Sequence, residues 1–262
     1  MQTLQSVPRE WLTKLRGLLF DLDDTFLDHG QLLPSALQAL YELRAAGFEL
    51  YVVTGRPASW GAVVTHQWPV DGAVTENGAI TFLKNDGRVR LFDSVAPAER
   101  ERRQARLRGV VEELRLRHPE LVAADDVAGR LSDFTFDIGE HQQIDAEVVM
   151  RVRRSARELG ASTTVSSVHL HVSVDRADKA SGSVRVLAER YQLDPTVVLS
   201  RYAFIGDSEN DAACFAAFRL TIGVQNLSGR PTLRPRFLTT GARAQGFVQA
   251  AELLLARGSD LG

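Results

Sequence analysis

The residues best suited to chemistry are Asp21 and Asp23, which follow the apolar run Leu18-Leu19-Phe20 and precede Asp24 and Thr25. If the chain stays extended through them, their i, i+2 spacing turns both carboxylates to one side of a strand. Two carboxylates in one small volume repel each other unless a cation or a proton intervenes. The pair therefore predicts a bound metal ion together with one carboxyl held protonated. Taken alone, the stretch fits equally well a strand-end turn in which Asp24 and Thr25 cap a helix, so the rest of the chain must decide.

Three further polar groups lie at ends of apolar patterns. Thr54, with Gly55 and Arg56 behind it, ends the run Phe48 to Val53. Lys179 opens a helical pattern, and Asp207, Asn210 and Asp211 follow the run Tyr202 to Ile205. Each has an ordinary reading as a surface lysine, a strand-to-helix turn or a capped helix start. Their joint occurrence at strand and helix ends is what favours a site, because parallel α/β sheets bind ligands at the carboxyl ends of their strands.

The elements that must position these groups follow from periodicity. A strand over Leu18 to Phe20, a helix from Ser35 to Gly47 carrying Leu37, Leu40 and Leu43, and a strand over Phe48 to Val53 make a right-handed βαβ unit. A helix over Pro57 to Gln67 and a short strand over Gly72 to Thr75 continue it. Asn85-Asp86-Gly87 between two apolar runs signals a hairpin. There follow a long charged helix over Pro97 to His118, a strand over Leu131 to Ile138, a helix over Asp145 to Leu159, and strands over Ser162 to Ser166 and Val168 to Val174. The α/β rhythm resumes with a helix from Asp178 to Tyr191 and strands at Tyr202, Leu220 and Phe237, and a helix over Ala244 to Arg257 closes the chain. The expected organisation is a discontinuous core, residues 1–84 plus 173–262, with an α+β insert over 85–172.

In order along the chain the polar segments read Asp-Leu-Asp-Asp-Thr (21–25), Val-Thr-Gly-Arg (53–56), Asp-Lys-Ala-Ser-Gly (178–182) and Gly-Asp-Ser-Glu-Asn-Asp (206–211). This series resembles the four motifs of the haloacid dehalogenase superfamily of phosphohydrolases. An insert between the second and third motifs, and the turn Thr75-Glu76-Asn77-Gly78-Ala79, resemble its type IIB (C2-cap) branch, which includes Cof-like, sucrose-phosphate and mannosyl-3-phosphoglycerate phosphatases. The resemblance implies a Rossmann-like parallel core with an inserted α+β cap. It also implies a Mg²⁺-dependent phosphatase working through an aspartyl-phosphate. Asp21 would be the nucleophile and Asp23 the acid that protonates the leaving oxygen and then activates water. Thr54 and Lys179 would hold the phosphoryl oxygens. Asp21, the backbone carbonyl of Asp23, and Asp207 would take the metal, with Asn210 and Asp211 orienting Lys179 or the metal waters from behind. The chain departs from the usual pattern at Asp24, at Phe26, and at Ala180-Ser181 after the lysine.

Alternation in the insert puts Asp133, Thr135 and Asp137 on one strand face, and His169, His171 and Ser173 on one face of another. That polar side is expected to roof the site and read a hydroxyl-rich leaving group, a sugar phosphate or phosphoglycerate derivative, through Asp133, His169 and His171; a solvated face accounts for it equally well. Arg56 is either a substrate-phosphate contact or an ion-pair partner of the insert. The basic run Arg100 to Arg108, interspersed with acids and lacking aromatics, reads as the solvated side of a helix and not as a nucleic-acid surface.

The near balance of 31 Lys+Arg and 33 Asp+Glu gives no electrostatic case for nucleic acid or membrane as a partner and leaves small neutral or anionic ligands open; the resemblance implies a small phosphorylated metabolite. The single cysteine, Cys214, excludes an intrachain disulfide and fits a reducing compartment. No stretch approaches the ~18 apolar residues of a membrane span, and residues 1–16 lack a signal-like apolar core, so a cytoplasmic protein is expected. Two rivals remain: a phosphomutase of the phosphomannomutase type, and a receiver-like phosphoacceptor without catalysis. Asp23 and the large insert argue against the second.

Overall fold

The computed structural model describes residues 1–166, 168–227 and 231–256. Among these, nine strands form one sheet and four form another. The large sheet runs, in spatial order, Gln2–Thr3, Phe237–Leu238, Leu220–Gly223, Tyr202–Gly206, Gly17–Phe20, Glu49–Val53, Gly72–Thr75, Ile80–Asn85 and Arg88–Asp93. The first seven pair in parallel, Ile80–Asn85 runs antiparallel to them, and Arg88–Asp93 turns back antiparallel to Ile80–Asn85. The central strands are apolar and wholly buried because helices cover both faces. The helices Pro34–Ala45 and Arg243–Leu255 pack Leu40, Leu43, Phe247 and Ala251 against Leu18, Phe20, Leu50 and Val52. On the other face Val186, Leu187 and Val198, from the helices Lys179–Tyr191 and Pro195–Arg201, meet Leu19, Tyr51 and Phe204. Fold class and elements follow the reading of the sequence, apart from pieces too short for periodicity to mark, such as Gln2–Thr3 and Val122–Ala123.

Register places the site. Phe20 stands beside Ile205 on one side and Val52 on the other, so Asp21, Thr54 and Asp207 leave the sheet at one edge. The strand pairing does not continue to Asp23, although Asp21 and Asp23 keep extended backbone angles. It ends at Phe20, and Leu22–Phe26 form a wide helical turn closed by Leu27 N–H on the Leu22 carbonyl at 2.8 Å, with Asp24 left-handed at φ 55°. Asp21 and Asp23 still line one cavity, as the i, i+2 spacing predicts, but the carboxylate of Asp23 is paired with Arg56.

The smaller sheet, Val122–Ala123, Asp133–Asp137, His169–Ser173 and Ser162–Val165, is antiparallel throughout. Its apolar side, Phe136, Leu170 and Val172, packs on Leu107, Val110 and Leu114 of the helix Pro97–Arg117 and on Val152 and Ala156 of the helix Ala146–Glu158. The expected boundary at residue 85 needs correcting. Arg88–Asp93 pairs along its whole length with Ile80–Asn85 in the large sheet, because the tight Asp86-Gly87 turn folds the chain straight back. The inserted layer thus begins at about Pro97 and ends after Ser173.

In the basic run Arg102, Arg106 and Arg108 are exposed as expected, but Arg100 departs from expectation. Arg100 is buried, with Nη2 2.7 Å from Asp93 and Nη1 2.6 Å from Asp175, and Arg103 reaches Asp175 as well. Asp93 ends the last core strand and Asp175 follows the last strand of the insert, so one guanidinium ties together both crossings between the layers. Patterning missed this because its partners lie 7 and 75 residues away.

Candidate active site

Lys179 is the first residue of its helix, and the reason is local. The Asp178 carboxylate accepts from Ser181 N–H at 2.8 Å, and Ser181 Oγ accepts from Asp178 N–H at 3.0 Å, a capping box that fixes where the helix starts. The serine that departs from the usual third motif is therefore the residue that closes the cap. Lys179 is wholly buried, and its ammonium donates to Asp21 Oδ1 at 2.8 Å and Asp211 Oδ1 at 2.7 Å. Burial opposes the charge on Lys179, but the two carboxylates outweigh it and raise its pKa.

Asp211 is itself held by the Asp207 and Ser208 amides, which donate to its Oδ2 at 2.9 and 3.1 Å. Gly206 is required there, because a Cβ at that position would lie 2.3 Å from the same oxygen. Asp207 has a lighter partner, the Thr25 hydroxyl at 3.3 Å. Burial pushes the pKa of both Asp21 and Asp207 up, and neighbouring carboxylates add to the effect.

Oxygens of Asp21, Asp207 and Asp211 lie within 4.8 Å of one another, all buried. One ammonium serves three carboxylates, and it is spent on Asp21 and Asp211. This donor set, all oxygen and short of positive charge, fits a hard divalent cation such as Mg²⁺. The Asp23 carboxylate is not part of it. Asp23 is half-buried and gripped by Arg56, whose Nε lies 3.0 Å from both carboxylate oxygens and whose Nη2 donates to Oδ1 at 2.6 Å. The guanidinium stacks on Trp60 at 3.9 Å from the ring centroid. Arg56 is thus an ion-pair partner of the core, not of the insert.

Thr54 is buried beside this group, its Oγ1 accepting from Arg56 N–H at 3.1 Å. Asn210 accepts from Ser208 Oγ at 2.7 Å and lines the cavity above the site without touching Lys179, so of the two residues expected behind the lysine only Asp211 reaches it.

That cavity, about 450 Å³, lies between the two layers, with Asp21, Asp23, Arg56 and Asp207 on the core side and Arg130, Glu140, His169 and His171 on the other. The polar face of the small sheet is therefore not left to solvent. His171 Nδ1 is 3.0 Å from Asp133 Oδ2, and its Cε1–Nε2 edge lies over Gly55, where a Cβ would stand 3.1 Å from Cε1. Burial lowers the His171 pKa against the pull of Asp133. Asp133 also pairs with Arg130, whose Nη1 donates to the Gly55 carbonyl at 3.0 Å. Asp137 does not face substrate; it accepts from the amides of Gly139, Glu140 and His141 and so shapes the loop that presents Glu140.

A second seam joins the layers at Glu76. Its carboxylate accepts from Ala58 N at 2.9 Å and Leu131 N at 2.8 Å, and from Ser132 N and Oγ at 2.6 Å each. Burial and the nearby Asp133 push its pKa up to about 7 against those hydrogen bonds. Glu76 and Asn77 are both left-handed, at φ 50° and 52°, a costly conformation held by these contacts. The sequence marked the turn only through its resemblance, and nothing local marked Thr25 as a partner of Asp207.

The two-layer arrangement is a parallel α/β core whose site is roofed by an inserted α+β cap. Residues 18–103 match the family model of the haloacid dehalogenase-like hydrolases. A phosphoglycolate phosphatase of Methanothermobacter thermautotrophicus is 23% identical over 240 residues, 90% of this chain and 97% of the relative. A Thermoplasma acidophilum protein of solved structure superposes with a TM-score of 0.73 at 20% identity, covering 91% of this chain and 99% of that one. A sugar phosphatase described as subclass IIB superposes with a TM-score of 0.62 at 14% identity, covering 90% and 98%. Over residues 18–103 the chain is thus similar to the haloacid dehalogenase-like hydrolases, and it shares the fold of these solved structures.

Proposed function

We propose that the protein is a Mg²⁺-dependent phosphatase that hydrolyses a small phosphomonoester through a phosphorylated Asp21. The observation that carries this reading is the under-neutralised buried group of Asp21, Asp207 and Asp211 around Lys179, beside a cavity closed by the cap. Asp21, Asp207 and the backbone carbonyl of Asp23 are the residues that would hold the metal. When bound, it would keep Asp21 ionised and offset charge on the phosphoryl oxygens.

An Asp21 oxygen attacks phosphorus, the ester P–O bond breaks, and the leaving oxygen takes a proton from Asp23. Water then attacks phosphorus with Asp23 as base, and inorganic phosphate and free Asp21 are released. Lys179 and the Thr54 hydroxyl stabilise the transferred group. Arg56 holds both Asp23 oxygens in the free enzyme, so it must free one edge of that carboxyl before Asp23 can donate. The same group thereby orients the acid and delays it.

The candidate substrates are a sugar phosphate and a phosphoglycerate or phosphoglycolate derivative, as the names of the relatives suggest. A phosphomutase would return the phosphoryl group to sugar, so release of inorganic phosphate as the sole outcome excludes it. An Asp23→Asn variant separates the remaining readings. A phosphatase loses nearly all turnover, whereas a receiver-like acceptor labels at Asp21 as before from a small phosphodonor and never turned over.

A further inference from the structure

Phosphoglycolate and phosphoglycerate carry a carboxylate beside the phosphate; a sugar phosphate carries only hydroxyls. The cap side of the cavity bears on that difference. It is built mainly from Asp125, Asp126, Arg130, Glu140, His169 and His171. Arg130 is spent on Asp126 at 2.8 Å, on Asp133 at 2.9 Å and on the Gly55 carbonyl. His169 Nε2 lies 2.9 Å from Glu140, and His171 Nδ1 lies 3.0 Å from Asp133. On the core side Arg56 is taken by Asp23, and at the rim His29 lies 3.9 Å from Asp28. Among the described residues, every basic group lining the cavity already faces a carboxylate.

What remains available on this wall accepts hydrogen bonds. The Asp133 carboxylate only accepts, so Nδ1 of His171 carries the proton and Nε2, on a side chain 4% exposed, presents a lone pair. Asp125, which faces His141 at 3.0 Å, Asp126 and Glu140 add three carboxylates, and the one Arg130 guanidinium is shared between Asp126 and Asp133. A second negative charge on the ligand would enter an acidic wall with no unshared cation, which is discrimination by repulsion. Hydroxyl groups would find acceptors at several points.

We infer that the cap selects a leaving group rich in hydrogen-bond donors and free of negative charge, a polyol and not a carboxylate. The inference rests on the phosphatase reading above and narrows its substrate class. His171 and Glu140 are the residues that read the hydroxyls.

Glycerol 3-phosphate and 3-phosphoglycerate form a matched pair, differing by a hydroxymethyl group against a carboxylate. With the full chain and Mg²⁺, kcat/KM for glycerol 3-phosphate is expected to exceed that for 3-phosphoglycerate at least about tenfold, with sorbitol 6-phosphate and 2-phosphoglycolate ranked the same way. Glu140→Gln, which lifts one charge and frees His169, should shrink that ratio several-fold at an unchanged melting temperature. Equal or better turnover of the carboxylated esters overturns the inference, as does an unchanged ratio in Glu140→Gln. p-Nitrophenyl phosphate separates the two levels. If it is hydrolysed while the carboxylates win, only the cap reading fails; if no ester is hydrolysed, the phosphatase reading fails and takes this one with it.

Discussion

Lys179 in the core and Arg130 in the cap are both almost wholly buried cations, with side-chain exposures of 0% and 1%. Their surroundings differ. Around Lys179 the charge does not balance: it binds Asp21 and Asp211, and Asp207 is left with a threonine hydroxyl. Around Arg130 the contacts close on themselves, through Asp126, Asp133, His171 and the Gly55 carbonyl. An under-neutralised cluster attracts a metal and then a phosphate. A cluster in which each carboxylate has its own charged or donating partner keeps its shape and offers a ligand acceptors along an acidic wall. Chemistry and recognition are thus separated by whether every carboxylate of the cluster has a cationic partner: Asp207 has none, whereas Asp126 and Asp133 share Arg130.

The sharpest way to break this contrast is to remove the core's deficit. Asp21→Asn should abolish phosphate release without lowering the melting temperature, since Lys179 keeps Asp211. Chelation should do the same reversibly, with Mg²⁺ restoring the rate. Asp23→Asn, measured as initial rate on a small ester, should cost on the order of 10²–10⁴-fold.

The cap cluster should respond in stability before it responds in rate. Arg130→Met leaves Asp126 and Asp133 without their cation and is expected to cost about 3–5 kcal/mol in denaturant unfolding. If that variant is as stable as the parent, the closed-cluster description is wrong. Glu76→Ala strands the buried amides of Ala58, Leu131 and Ser132 and should cost about 3 kcal/mol, with a larger rise in KM than fall in kcat if the cap loses its seat.

The smallest expected effect is on pH. Burial lowers the His171 pKa below its usual 6.5, so the unfolded chain binds this proton first as the solution is acidified. The stability that neutral His171 contributes is therefore complete above pH 6.5 and is lost as pH falls below it. Melting curves from pH 8 down to 5.5 should decline more steeply for the parent than for His171→Gln, and parallel curves would remove His171 from the account.

What the sequence made legible follows the range of the forces involved. Apolar runs ending in Asp21, Thr54 and Asp207 were readable because strand burial and strand ends are local. Lys179 was readable as a helix start, although the Asp178–Ser181 box that fixes it looked like a departure. The partner of Asp23 was not readable, since Arg56 lies 33 residues further along the chain. Arg100 was misread for the opposite reason: a charge pattern reports solvent unless distant carboxylates meet it, and Asp93 and Asp175 do. The Glu76 seam lies between these cases, a turn visible in sequence whose partners belong to the other layer.

The Arg100 tie also bears on how separable the two layers are as building blocks. A cap cut at its apparent limits, Pro97 and Ser173, would carry the guanidinium away from both of its carboxylates and leave Asp93 and Asp175 behind in the host. An exchange of caps between proteins of this fold therefore has its natural joints outside that pair, before Asp93 and after Asp175. Modules defined by their sheets and modules defined by their ion pairs do not have the same edges here.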